Sequence, residues 1–373
     1  MTKAKKLIEV AMPIKEISAE SVRDKSIRHG HISTLHLWWA RRPLPVCRAV
    51  IFASLVPDPL DEQCPLAFKD AIQELLSNDP LYVPYPDIPY TAIYDPMPDN
   101  LRNRLLMFIG KFSPVCQANM LKSKSTASKE QLSEGCLIKW ESKNDKVVLT
   151  KAVLAKARKL IWVAYNAEQN PDASFISLSQ SFDAAYQAIE EAENNLYTCI
   201  DRHLETDIIK EKEAALKTAI DCFQKQMPSV FDPFAGGGAI PLETARLGCR
   251  SYGNDINPVA HIIEKGSVEF PQKYGKPIRY TEEEFRRIYG KEGIDILITK
   301  GISICNGIID IPNRLSFDVE YYAKQLLAMT EKEVGYLYPA DENGNKPIAY
   351  YWARTATCSN PSCKAEVPLL KQF

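Results

Sequence analysis

One stretch of the chain combines residue types that could hold a nucleoside-bearing ligand. In VFDPFAGGG, Asp232, Pro233, Phe234 and Ala235 are followed by Gly236, Gly237 and Gly238. Glycine is needed where backbone turns sharply and lets a ligand come close, and a helix starting near Ala239 would point its first amides at that ligand. The spacing does not fit GxGxxG, and no Lys-Ser or Lys-Thr follows to make a P-loop. Further on, a second strand over 250–254 delivers Asp255, a carboxylate able to accept hydrogen bonds from two ribose hydroxyls. Dinucleotide folds share this logic and some glycine clusters are plain tight turns, so the pattern alone leaves the cofactor open.

The elements that must position these groups are a short strand over 229–231, the glycine turn, a helix and the second strand, which together make one βαβ unit. Upstream, residues 35–55 predict a turn and then an apolar helix, LPVCRAVIFASLV, opened by Pro43 and Pro45 and closed by Pro57-Asp58-Pro59. A proline-rich stretch over 79–100 reads as extended loop, and the polar run LKSKSTASKE over 121–130 as a solvated linker. Helical spacing returns at 151–165 and 181–201, where Phe182, Ala185, Tyr186, Ile189, Leu196 and Ile200 form one stripe, and a further helix is expected over 206–224. An amphipathic helix over 317–337, a Gly-Asn turn at 344–345 and the β-like run PIAYYWARTATC complete the pattern.

At 373 residues, with 45% hydrophobic and 25% charged residues, the chain suits about two globular domains and is neither disordered nor fibrous in type. No apolar run approaches membrane-spanning length and the N-terminus has no signal-peptide core, which makes the cytoplasm the expected compartment. The net charge of −1 argues against a chain that coats nucleic acid, yet residues 23–48 gather six Lys or Arg residues against one acid. Arg28, Arg41 and Arg48 are the candidate nucleic-acid contacts there, with Trp38 and Trp39 available for stacking. The same residues could instead cap helices, pair with acids elsewhere or anchor the core. Of the ten cysteines, eight are scattered singly and read as small hydrophobes; Cys358 and Cys363 are the exception.

Asp232-Pro-Phe-Ala-Gly-Gly-Gly resembles the first motif, DPFxGxG, of amino-methyltransferases that modify adenine N6 or cytosine N4 in DNA, and Asp255-Ile-Asn-Pro resembles their second motif. STLHLWWARRPLPVCRAVIFASLV is similar to the start of a family of bacterial adenine-specific DNA methylases with a zinc ribbon, whose N-terminal domain has no assigned function (DUF1156). The resemblance implies an α/β fold with an incomplete, Rossmann-like S-adenosylmethionine-dependent methyltransferase core, a large mainly helical insertion and a terminal half zinc ribbon. The implied parts are 1–56 (DUF1156-like motif and helix), 57–227 (insertion), 228–345 (methyltransferase core) and 346–373 (partial ribbon). Asp232 and the glycines, Gly236 to Gly238, would face the methionine part of the cofactor and Asp255 would hold the ribose, with Pro233, Phe234, Ala235 and Asn257 also expected to be cofactor-binding. In many amino-methyltransferases a His, a basic-Pro-Leu step and an apolar helix lie beside the cofactor. His36, Arg42-Pro43-Leu44 and the helix to Leu55 have that form, which would put Trp39 and Arg42 at the pocket's border.

Methyl transfer to an exocyclic amine also needs a loop to hold the extruded base, supplied in such families by Asp/Asn/Ser-Pro-Pro-aromatic. The sequence has none; Asp79-Pro80-Leu81-Tyr82 and Asp87-Ile88-Pro89-Tyr90 are its nearest strings. The resemblance therefore implies a catalytic segment beyond residue 373 or on a second chain, in a restriction-modification or phage-defence setting with DNA as partner. Cys358 and Cys363 look like the first knuckle of a zinc ribbon, so zinc is expected only with a completing ligand pair. A non-catalytic cofactor- or DNA-binding subunit is the alternative.

Overall fold

The computed structural model describes residues 3–26, 35–36, 38–39, 42–77, 100–110, 136–139, 146–201, 206–342, 344–346, 349 and 352–369. Arg28, Arg41 and both candidate catalytic strings lie outside the described residues, as does the 121–130 run. The chain divides into two compact units, Met1–Pro277 and Ile278–Phe373.

The first unit opens with α1 (Leu7–Val10), α2 (Ile14–Ser26) and α3 (Leu44–Leu55). Helix α3 has Pro within its first turn, where a missing N–H costs nothing, and its apolar residues run round the whole helix. Such a helix belongs inside: Leu44, Cys47, Ala49, Ile51, Phe52 and Ala53 are all buried. Then come α4 (Leu66–Ile72), α5 (Leu101–Ile109) and three long helices, α6 (Lys146–Gln169), α7 (Phe175–Asp201) and α8 (Thr206–Lys225). Trp162 of α6 is fully buried, with the rings of Phe182 and Phe223 at 5.7 and 5.1 Å. The predicted stripe on α7 is the buried face, since Phe182 and Leu196 are inside and Ala185, Tyr186 and Ile189 pack against the core.

After α8 come β1 (Ser229–Asp232), α9 (Ala239–Arg246) and β2 (Arg250–Gly253). The strands pair in parallel, from Ser229 opposite Arg250 to Asp232 opposite Gly253. Gly248, at φ +80°, turns the chain out of α9 in a left-handed conformation that favours glycine. The long helices brace this unit directly. Arg158 of α6 donates to the carbonyl of Arg246 at the end of α9 (3.0 Å) and to the Tyr186 hydroxyl (3.0 Å). Residues from α3, α6, α8 and the β1–α9–β2 unit share one apolar core. The unit closes with α10 (Pro258–Glu264), a π-helical turn (Lys265–Glu269) and α11 (Phe270–Tyr274).

The second unit does not extend the parallel pair. It contains β3 (Ile278–Thr281), α12 (Glu282–Thr299), β4 (Ile304–Cys305), β5 (Ile308–Ile311) and α13 (Arg314–Val334), with its strands in the antiparallel order β3-β5-β4. Asn306 and Gly307, both at positive φ, make the two-residue turn of the β4–β5 hairpin, which sequence inspection missed although Asn-Gly is its usual signal. Tyr280, Phe285, Tyr289, Ile309, Ile311 and Phe317 form a separate core. The stretch 228–345, expected as one core, is thus divided between Pro277 and Ile278, because its second half buries its apolar side chains among themselves. β6 (Arg354–Thr357) and β7 (Glu366–Leu369) form a hairpin, with Cys358 and Cys363 in the turn between them.

Candidate functional site

β1 carries Asp232 at its carboxyl end, and the chain then reverses through a hydrogen-bonded loop. Asp232 Oδ1 accepts from the Phe234 amide at 3.0 Å, Ala235 N–H donates to the Asn254 carbonyl at 3.0 Å, and Gly238 N–H returns to the Ala235 carbonyl at 2.8 Å. Gly236 and Gly238 have φ of +54° and +74°, so only these two of the three glycines are required by their own backbone. Gly238 caps α9, leaving the helix amides directed toward the loop.

Asp255 lies just beyond β2 and holds this loop from behind. Its Oδ2 accepts from the Gly236 amide at 2.9 Å and its Oδ1 from the Asn257 amide at 2.9 Å. Asn257 itself is a helix cap: its side chain accepts from Val259 N–H at 2.9 Å, with Pro258 at the first helical position. That bond gives Asn257 a structural role at the start of α10.

Above the loop is a cavity of about 410 Å³, a volume in the range of small-molecule sites. Asp232, Phe234, Ala235, Gly236 and Gly237 form its floor, and Ala239, Ile240 and Leu242 of α9 one wall. His36, Trp38 and Arg42 come from the segment leading into α3, with Leu44 at the start of that helix. Ile263 and Ser267 close the remaining side. Pro233, Gly238, Asp255 and Asn257 do not line it.

Trp38, not Trp39, borders the cavity. Trp39 is 91% exposed, whereas the Trp38 indole lies so close over the loop that a Cβ on Gly236 would stand 2.7 Å from its Nε1. Successive side chains in an irregular segment take different directions, and the sequence carries no period there to say which faces in. Arg42 does line the cavity.

Arg48 is corrected outright as a nucleic-acid contact. It is 1% exposed, its Nε lies 2.6 Å from Glu243 Oε2, and its Nη1 donates to the Leu137 carbonyl at 2.8 Å. Glu243, fully buried, also pairs with Arg246 at 2.6 Å. The charge that looked like part of a basic surface is a clasp between α3 and α9, and so between two walls of the cavity.

Burial drives the largest shifts in titration. It pushes the thiols of Cys47, Cys64 and Cys249 up to about 12, so none of these is a thiolate nucleophile near neutrality. Sequence inspection overlooked Glu264, at the end of α10. Burial first, then the charges of Asp255 and Asp232, push its carboxyl up to about 6. Cys358 and Cys363 share one hairpin turn, where Cys358 N–H donates to Ala365 O and Cys363 N–H to Asn360 O. Among the described residues no third His, Cys, Asp or Glu joins them as a ligand group. Zinc would need further donors, as tetrahedral thiolate chemistry requires. Among the described residues no helix is long and apolar enough to cross a membrane.

Residues 11–75 match the family described as a protein of unknown function (DUF1156). Neither the curated proteins nor the solved structures give a match. The matched segment spans α2, α3 and α4 and contributes His36, Trp38, Arg42 and Leu44 to the cavity.

Proposed function

We propose that the cavity binds S-adenosylmethionine and that the chain is the cofactor-binding portion of a DNA amino-methyltransferase, acting on adenine N6. One observation carries this reading: the DPFAGGG loop, the first turn of α9 and the His36–Leu44 segment converge on a single cavity, although some 190 residues separate the two parts of its lining in the sequence. Glycine backbone and helix amides suit the carboxylate of the methionine moiety, Asp232 suits its ammonium, and the Trp38 indole offers a flat apolar surface to a nucleoside. The βαβ geometry supports a Rossmann-like frame, in which ligands sit at the carboxyl ends of parallel strands.

The residues of this chain bind and orient the donor; transfer further requires a group that holds the target amine. A Pro-Pro-aromatic segment supplied by another polypeptide or another segment would provide it, and the same partner could complete a zinc site with Cys358 and Cys363. Defence by restriction-modification fits such an assembly. A non-catalytic cofactor- or DNA-binding subunit is the second reading, favoured by the absence of that tetrapeptide from the 373 residues.

Calorimetry with S-adenosylmethionine tests the cofactor. Asp255→Ala removes the acceptor of the Gly236 and Asn257 amides, and charge-assisted bonds of this kind are worth about 1.5–3 kcal/mol each. Affinity is expected to fall by at least about tenfold. Unchanged affinity would remove Asp255 from the site. Transfer of labelled methyl groups to DNA, compared with RNA, in the presence of a polypeptide carrying Pro-Pro-Tyr separates the enzyme reading from the subunit reading; persistent inactivity of an intact complex favours the latter.

A further inference from the structure

Glu264 takes no part in the hydrogen bonds that shape the loop. It is 8% exposed, and its buried Oε1 has no hydrogen-bond partner among the described residues. The side chain runs through a slot that exists because two neighbours are glycines. Its Cγ lies 3.2 Å from where a Cβ would stand on Gly238, and its Oε1 would overlap a Cβ on Gly253. Gly253 is the ladder partner of Asp232, and Asp255 follows two residues later. Three carboxylates therefore gather near the carboxyl ends of β1 and β2, and among the described residues Glu264 Oε1 has no donor.

The surrounding charges do not balance this group. On α9, Glu243 is already taken by Arg48 and Arg246. On α10, His261 is exposed, and in the π-helical turn that follows Lys265 pairs with Glu269 at 3.5 Å. Arg42 and His36 stand at the cavity from the segment before α3. A buried, unpaired carboxylate is costly, and a cation arriving in the cavity would offset that cost.

We propose, resting on the cofactor reading above, that Asp232, Asp255 and Glu264 select a nucleoside bearing a positive charge, sulfonium or ammonium, and that Glu264 releases its proton to solvent as that ligand enters. Glu264 is a positioning residue: it acts on ligand charge from behind the Gly238 backbone. In the ligand-free protein the sign is opposite to that of a paired carboxylate. Stability from the neutral form is complete below the ordinary value of 4.5 and is lost as pH rises through about 6.

Calorimetry on the full chain with S-adenosylmethionine, at pH 5 to 7.5 and in buffers of different ionisation enthalpy, reads both affinity and proton release. If binding returns Glu264 from about 6 to 4.5, affinity at pH 5 is about eightfold weaker than at pH 7, and roughly 0.7 proton leaves per ligand at pH 5.5. Glu264→Gln is expected to abolish the slope, weaken binding at pH 7.5 and raise the ligand-free Tm there, a combination that a purely structural role would not give. Adenosine, which lacks the cation, should bind without the slope. A flat wild-type profile, a slope retained in Glu264→Gln, or the same slope with adenosine overturns the Glu264 assignment while leaving the cofactor reading intact. No S-adenosylmethionine binding at any pH overturns both. The wild-type measurement needs no variant to fold.

Discussion

Arg48→Ala is expected to cost the Met1–Pro277 unit about 3–5 kcal/mol of stability, the usual penalty for removing one partner of a buried ion pair. Arg48 and Glu243 are 1% and 0% exposed, so removing the guanidinium leaves a carboxylate away from bulk water. Glu243 would retain Arg246, which is itself 20% exposed, and the Leu137 carbonyl would lose a donor. Urea unfolding followed by tryptophan fluorescence, to which buried Trp162 contributes, measures the loss. A cost under about 1 kcal/mol, the worth of an exposed pair, would show that the clasp is solvated in solution. Arg48→Lys keeps the charge but not the fork, and should fall between wild type and alanine. Arg48→Met combined with Glu243→Leu should recover most of the loss, since an apolar pair of similar volume removes the desolvation cost of both charges. Because α3 leads from Arg42 and Leu44 while α9 carries Ala239, Ile240 and Leu242, the alanine variant should also weaken ligand binding by spreading the two walls.

The contrast between Arg48 and Phe182 shows what the sequence can and cannot carry. Phe182 and its stripe are legible because helical periodicity is local, and every third or fourth residue reports the same face. The βαβ turn is legible for the same reason, since its glycines answer to a backbone requirement within a few residues. Arg48 meets Glu243 across 195 positions, and neither residue bears a mark of the other. Glu264 is likewise an unremarkable acid until Gly238 and Gly253 are seen to make room for it. Asn257 is legible as a cap, because Asn-Pro at a helix start is a recognised signal. The boundary after Pro277 coincides with a Gly275-Lys276-Pro277 break, but glycine and proline breaks recur along the chain, and the closure of a separate aromatic core is what marks this one as a division between units.

Gly236→Ala should lower S-adenosylmethionine affinity by about tenfold, while Gly237→Ala changes it little. The two glycines are adjacent but meet different constraints. Gly236 has φ +54°, and its added Cβ would stand 2.7 Å from Trp38 Nε1; Gly237 has no positive φ, and its Cβ would meet Trp38 Cβ at 3.4 Å. An L-residue held left-handed costs about 1–2 kcal/mol, so the free loop is expected to relax out of that conformation and to repay the cost when ligand restores it, which is roughly five- to thirtyfold in Kd. The indole must move as well, and Trp38 is itself a cavity wall. A cycle with Trp38→Ala separates the two contributions: the double variant relieves the collision but keeps the backbone strain, so part of the loss should persist. If Gly236→Ala binds as wild type does, the loop that carries the functional assignment does not approach the ligand, and the cofactor must be sought elsewhere in the chain.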